Sequence, residues 1–153
     1  MTGRGRAPLS RAVHTALLLA LAAPGTSLTA QTRWERQVQE QLRVIANDLA
    51  PQGWRYAGNP FSGQLGQGEQ ETLRVALRAG TPYALVALCD EDCRDVEVTV
   101  LGEDDAVLAK SGSWGDRPLL EVSPTASGKY RIVVTMAHCG SGPCAYGVGV
   151  FMK

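Results

Sequence analysis

After Gln52 the apolar residues of this chain fall into a period of two and stay there. Leu73, Val75 and Leu77 share one side of an extended segment while Arg74 and Arg78 take the other, which is the pattern of a strand with one buried face. Residues 83–88 are apolar throughout, so that strand is expected to be central and covered on both sides. Val96, Val98 and Val100 alternate with Glu97 and Thr99, and turn-forming residues at 102–105 lead into a further strand at about 106–110. A short strand is expected at 119–122. Tyr130, Ile132, Val134 and Met136 then form an inward set after a turn at Ser127 and Gly128, and Tyr146, Val148 and Val150 form the last. With a weaker strand around 54–56 there are about eight short strands separated by turn residues at regular intervals, so the expected fold is all-β, an antiparallel sandwich or jelly roll.

One helix precedes the strands. Thr32 and Glu35 fit a capping box, in which each side chain serves an unpaired amide of the other's turn. Trp34, Val38, Leu42, Ile45 and Leu49 recur every three or four residues and draw one apolar stripe. Pro51 stops it. Arg36, Gln37, Glu40, Arg43 and Asn47 face the other way. The stripe is expected to pack onto the sandwich; docking on a partner protein is its other use.

Ahead of the helix stand Arg4, Arg6 and Arg11, then an apolar run at 12–23 broken only by His14 and Thr15, then Pro24, Gly25 and small residues ending at Ala30. That order is the build of a secretory signal peptide, with an apolar stretch too short to anchor in a bilayer. The alternative for such a stretch is a buried N-terminal helix. The expected organisation is a signal peptide over 1–30, an amphipathic helix over 31–51 and a β-sandwich over 52–153, in a secreted or periplasmic protein cleaved near Ala30. No cysteine precedes Cys89, so a lipid-modified N-terminal cysteine is excluded, and the mature chain is expected to carry no membrane anchor.

Removing 1–30 removes three of the 15 basic side chains and none of the 15 acidic ones, which leaves a net charge of −3. That balance offers no clustered Lys and Arg to replace phosphate counterions, so nucleic acid is excluded as a partner. A chain of this size builds its own core, and disulfides supplement it.

The punctuation of the strands carries a resemblance. Gly63-Gln-Leu-Gly-Gln-Gly-Glu69 before a strand, Ala79-Gly-Thr-Pro-Tyr83, an acidic segment at 90–97 running into a strand, and Ser127-Gly-Lys-Tyr130 before the last long strands together resemble the bacterial pre-peptidase C-terminal domain. The resemblance covers roughly residues 60–152. It implies a jelly-roll β-sandwich appended to exported enzymes and serving targeting, substrate binding or calcium binding, with no catalytic role. Two features depart from that pattern. The second acid of the strand is Glu97, after Asp95 and Val96, where the family tends to carry two aspartates, and no catalytic domain precedes the module.

Cys89 with Cys93 and Cys139 with Cys144 are separated by turn-prone residues, 90–92 and 140–143, so local pairing is the expected connectivity. The chain-entropy model gives a short local loop roughly 2 kcal/mol and a fifty-residue loop roughly 4, so a crossed pairing remains open on energy alone. Local pairs would close the acidic loop between a central strand and its neighbour, and the turn before the last strand. A four-thiolate zinc site is the competing use, but neither spacing is the usual two-residue knuckle and export favours oxidation.

Asp90, Asp92, Asp95 and Glu97 are the candidate calcium ligands, because a closed turn brings together the hard oxygens that ion requires; the bland alternative is a solvated acidic loop. Trp114, Trp54 and Tyr56, with Phe61, are candidates for a flat platform for sugar rings, against the commoner role of aromatics in the core. Catalysis is not expected. The mature chain has one histidine, His138, beside Cys139, and no serine sits in a nucleophile elbow. The sequence thus points to a non-catalytic exported binding or accessory module, meeting a protein or polysaccharide. A calcium-dependent interaction module is the alternative and a small exported hydrolase the outsider.

Overall fold

The computed structural model describes residues 33–112 and 115–153; the leader, Thr32 of the expected capping box and Trp114 lie outside the described residues. The helix α1 runs over Arg33–Leu49 and tightens into a 3-10 turn at Ala50–Gln52 that contains Pro51. Among the described residues nine strands follow: β1 Arg55–Tyr56, β2 Phe61–Leu65, β3 Gln70–Leu77, β4 Tyr83–Cys89, β5 Cys93–Leu101, β6 Val107–Lys110, β7 Leu119–Val122, β8 Gly128–Cys139 and β9 Cys144–Met152.

They form two antiparallel sheets. In the first, β4 lies between β7 and β9, and the far side of β9 pairs with both β1 and β2; in the second the order is β3-β8-β5-β6. β2 pairs with β9, β3 with β8, β4 with β7 and β5 with β6, so the chain folds as one long hairpin rolled up across two sheets. This is jelly-roll connectivity, with β1 as an added edge piece. The all-β sandwich with one helix is therefore as expected. β2, at residues 61–65, is a strand where the sequence pattern placed none.

The alternating residues meet between the sheets. Leu73, Leu77, Val96, Val98, Val100, Ile132, Val134, Met136, Tyr146 and Val148 all belong to one buried cluster. β4 is buried at every position. Its Tyr83, Leu85 and Ala87 face the second sheet, whereas Ala84, Val86 and Leu88 face outward under α1.

The stripe on α1 thus finds its cover on the outer face of the first sheet. Val38 and Leu42 are 0% and 2% exposed and pack on Leu88 and Ala145, while Ile45 and Leu49 lie over Ala84, Val86 and Phe151. What lets the helix come so near is β9. A Cβ at Gly147 would stand 2.5 Å from Val38 Cγ1 and 2.9 Å from Leu42 Cδ1, and one at Gly149 would stand 2.8 Å from the Phe151 ring. Glycine here is a spacing device, since carbon atoms in contact prefer about 3.5–4.0 Å.

Candidate functional site

The strand directions bring four connections to one end of the sandwich: residues 66–69, 90–92, 140–143 and the described residues 111–112 and 115–118. Both disulfides are there. Cys89 is joined to Cys93 and Cys139 to Cys144, each with Cα atoms 5.9 Å apart. Local pairing is therefore the connectivity. The position of the loops differs from the sequence expectation in one respect. β4 and β5 belong to different sheets, as do β8 and β9, so each bridge closes a crossing from sheet to sheet. Cys93 and Cys139 are also register partners in the second sheet, which sets the two bridges side by side.

The acidic run divides when it reaches this end. Asp90 is 4% exposed, with its Oδ2 accepting from the Ala145 N–H at 2.7 Å and its own N–H donating to the Ala145 carbonyl at 3.0 Å. Its Oδ1 is buried without a hydrogen-bond partner. Asp92 offers its backbone carbonyl to the Gly140 N–H at 2.8 Å, tying the two disulfide loops together. Asp95 is 5% exposed and stands at a bulge where β5 shifts register against β8. It accepts from the Gly115 N–H at 3.1 Å, and the Val96 N–H returns to the Gly115 carbonyl at 3.0 Å. Glu97 lies further along β5, within 4.0 Å of Lys110. Glu91 is exposed and reaches Arg33 of α1 at 3.8 Å. Two of these acids are therefore buried and bound to backbone amides, so the plain solvated loop is corrected. Among the described residues, no three His, Cys, Asp or Glu are gathered as a cation would need.

The aromatic candidates are divided too. Tyr56 stacks on Phe151 with ring centroids 4.5 Å apart and donates its hydroxyl to the Leu42 carbonyl at 3.2 Å; burial pushes its phenol above the ordinary range. Trp54 joins the same layer between helix and sheet, with Lys153 Nζ 5.3 Å from its ring. Both residues serve to seat the helix. Trp114 falls outside the described residues. His138 is exposed at the end of β8, opposite Asp95 in register.

At the opposite side, the open flank between β1–β2 and β3 carries a groove that the sequence did not signal. One part has a volume of about 320 Å³ between Phe61, Val75, Leu77 and Val150, with Arg74 on its wall; the next, about 450 Å³, lies beside Arg55, Arg78 and Met152. Ala57 and Ala76 line both parts. Arg74 and Arg78 were legible as the outer face of a strand. That Arg55 joins them depends on the meeting of two sheets.

Toward the disulfide end of the same flank, the buried Tyr146 donates its hydroxyl to Glu71. Burial, and then this bond to a carboxylate, hold its phenol far above the ordinary tyrosine range. No helix among the described residues is long and apolar enough to cross a membrane.

No family model matches the sequence, and no curated protein does. Solved structures do resemble it. A periplasmic inhibitor of g-type lysozyme from Aeromonas hydrophila, PliG, is 16% identical, with 62% of this chain and 85% of that one covered at a TM-score of 0.49. The pre-peptidase C-terminal domain of a Bacillus anthracis collagenase is 15% identical, with 60% and 87% covered at 0.45. A protein from Sulfurospirillum deleyianum is 13% identical, with 63% and 99% covered at 0.42. No residue role is carried over from any of them.

Proposed function

We propose that this chain is a secreted or periplasmic, non-catalytic binding or accessory module that engages an exported protein or polysaccharide. The observation that carries the reading is the use made of its reactive side chains. All four cysteines are oxidised in pairs, and the two buried carboxylates are bound to backbone amides of neighbouring loops. Groups held in this way fix a surface. A nucleophile or a general base must instead stand within reach of a reacting atom. Paired thiols also accord with an oxidising compartment.

The test has two parts. The full chain, expressed in a Gram-negative host, is expected in the exported fraction with its N-terminus cut near Ala30 and no free thiol. The purified product is expected to give no turnover on a panel of protease, esterase and glycosidase substrates. Retention in the cytoplasm would overturn export, and turnover that survives repurification would overturn the non-catalytic reading.

A calcium-dependent form of the same module is the second reading, favoured by Asp90 Oδ1, a buried oxygen with no partner at the base of the acidic loop. Against it stands the dispersal of Asp95 onto Gly115 and of Glu97 toward Lys110. Melting with millimolar calcium and with a chelator separates the two, because an ion bound only by the native state raises the midpoint.

A further inference from the structure

We infer that the groove along the free edge of β3 binds an extended segment of a partner protein, one that alternates acidic and apolar residues, by adding it as a further strand to the second sheet. This rests on the binding-module reading and gives it a site.

Edge strands differ in how open they are to such an addition. Here β7 and β6 have four residues each, and β6 is interrupted by a register shift against β5. β3 has eight residues in unbroken register with β8, contains no proline, and among the described residues has no strand on its other side. Half of its backbone groups therefore point away from β8 toward the groove.

The side chains say what would pair there. Along β3, Arg74 and Ala76 lie on the outer face, with Arg78 next in the same alternation, and Val75 and Leu77 lie inward. An added strand continues that alternation, so its own outer residues flank Arg74 and Arg78 and its inner residues enter the apolar space between Phe61, Leu77 and Val150. Arg74 and Arg78 are four residues apart, a span of roughly 13 Å in extended chain, which matches outer residues i and i+4 of the incoming segment. Arg55, Arg74 and Arg78 are exposed and form no ion pair among the described residues, and no carboxylate lines either part of the groove. Three unopposed guanidinium groups over an apolar slot are complementary to acids on one face of a strand and aliphatic residues on the other.

The test is a titration of the oxidised protein with a fluorescein-labelled ten-residue peptide of alternating Glu and Val. Its Lys-Val counterpart, a Glu-Val peptide N-methylated at every second residue, and a sulfated hexasaccharide serve as further probes. The Glu-Val peptide is expected to bind at least tenfold more tightly than the Lys-Val peptide, and to weaken at least tenfold in Arg74→Glu/Arg78→Glu. N-methylation on the donor edge should weaken it by a similar factor. Both arginines are exposed, and an unchanged melting temperature will show that the variant is folded. Equal binding by the N-methylated peptide would reduce the groove to a charged patch and overturn strand addition. Indifference to the charge reversal would do the same, as would binding of the sulfated sugar with none of the peptide. Failure of every probe would overturn the groove as well, while export and the absence of turnover, measured separately, would leave the broader reading in place.

Discussion

Gly147→Ala measures how closely the helix sits on the sheet. The new methyl would lie 2.5 Å from Val38 Cγ1 and 2.9 Å from Leu42 Cδ1, against about 3.5–4.0 Å for carbon atoms in contact, so a gap of roughly 1 Å must be opened. Val38 is β-branched and held to nearly one rotamer in a helix, so it cannot swing clear. The helix itself must lift. Overpacking of this kind costs about 1–3 kcal/mol, from which the lower entropy of an unfolded alanine returns about 0.4–1. A net loss of about 1 kcal/mol follows, or roughly 3–6 °C in Tm for a domain of this size. Val38→Ala alone costs about 2 kcal/mol through two lost methyl groups and the cavity they leave. In the double variant the methyl at 147 takes the space vacated by Cγ1, so the two losses should fall short of their sum by at least about 1 kcal/mol. Urea and thermal unfolding followed by circular dichroism read all three proteins, with Gly112→Ala, which meets nothing within 4 Å, as the control. A Gly147→Ala protein as stable as the control, or strict additivity with Val38→Ala, would refute the seating of α1 on β9.

Other outcomes follow from the disulfide end and from the flank. Cys139→Ala/Cys144→Ala opens a loop of sequence separation 5 and should lower stability by about 2 kcal/mol on the chain-entropy model, read as a urea midpoint shift with unchanged m-value. Asp90→Ala leaves the Ala145 N–H buried without its acceptor and should cost about 1–3 kcal/mol, whereas Asp92→Ala, whose contact to Gly140 is through the backbone, should fall within about 0.5. Because the Tyr146 phenol is raised in the folded protein, its contribution is fully present below about pH 10 and is lost as the pH climbs toward the folded value. The alkaline fall in Tm should therefore be shallower in Tyr146→Phe, and an identical pH profile would contradict the burial of that hydroxyl.

The strands of the core were legible because each places its apolar residues at every second position and nothing interrupts the count: Tyr130, Ile132, Val134 and Met136 of β8 all point inward as the period requires. β2 was not legible. Between Phe61 and Leu65 it carries Ser, Gly and Gln, residues that read as a loop, and its extended form comes from pairing with β9. Which acids of the run turn inward was not legible for a different reason. A bulge at Asp95 adds one residue to the count, so alternation could not tell which carboxylates turn inward. The groove lay beyond any sequence pattern, because Arg55 and Arg78 are brought together by the rolling of one sheet over another.

A binding module forms a stoichiometric complex, whereas an enzyme turns its partner over. Purified oxidised protein, mixed with the exported fraction of its own organism and resolved by size exclusion with native mass spectrometry, is predicted to appear in a complex of fixed ratio, with both partners chemically unchanged. Arg74→Glu/Arg78→Glu is predicted to elute alone. A product that accumulates with time at substoichiometric protein, with no complex formed, would contradict the account.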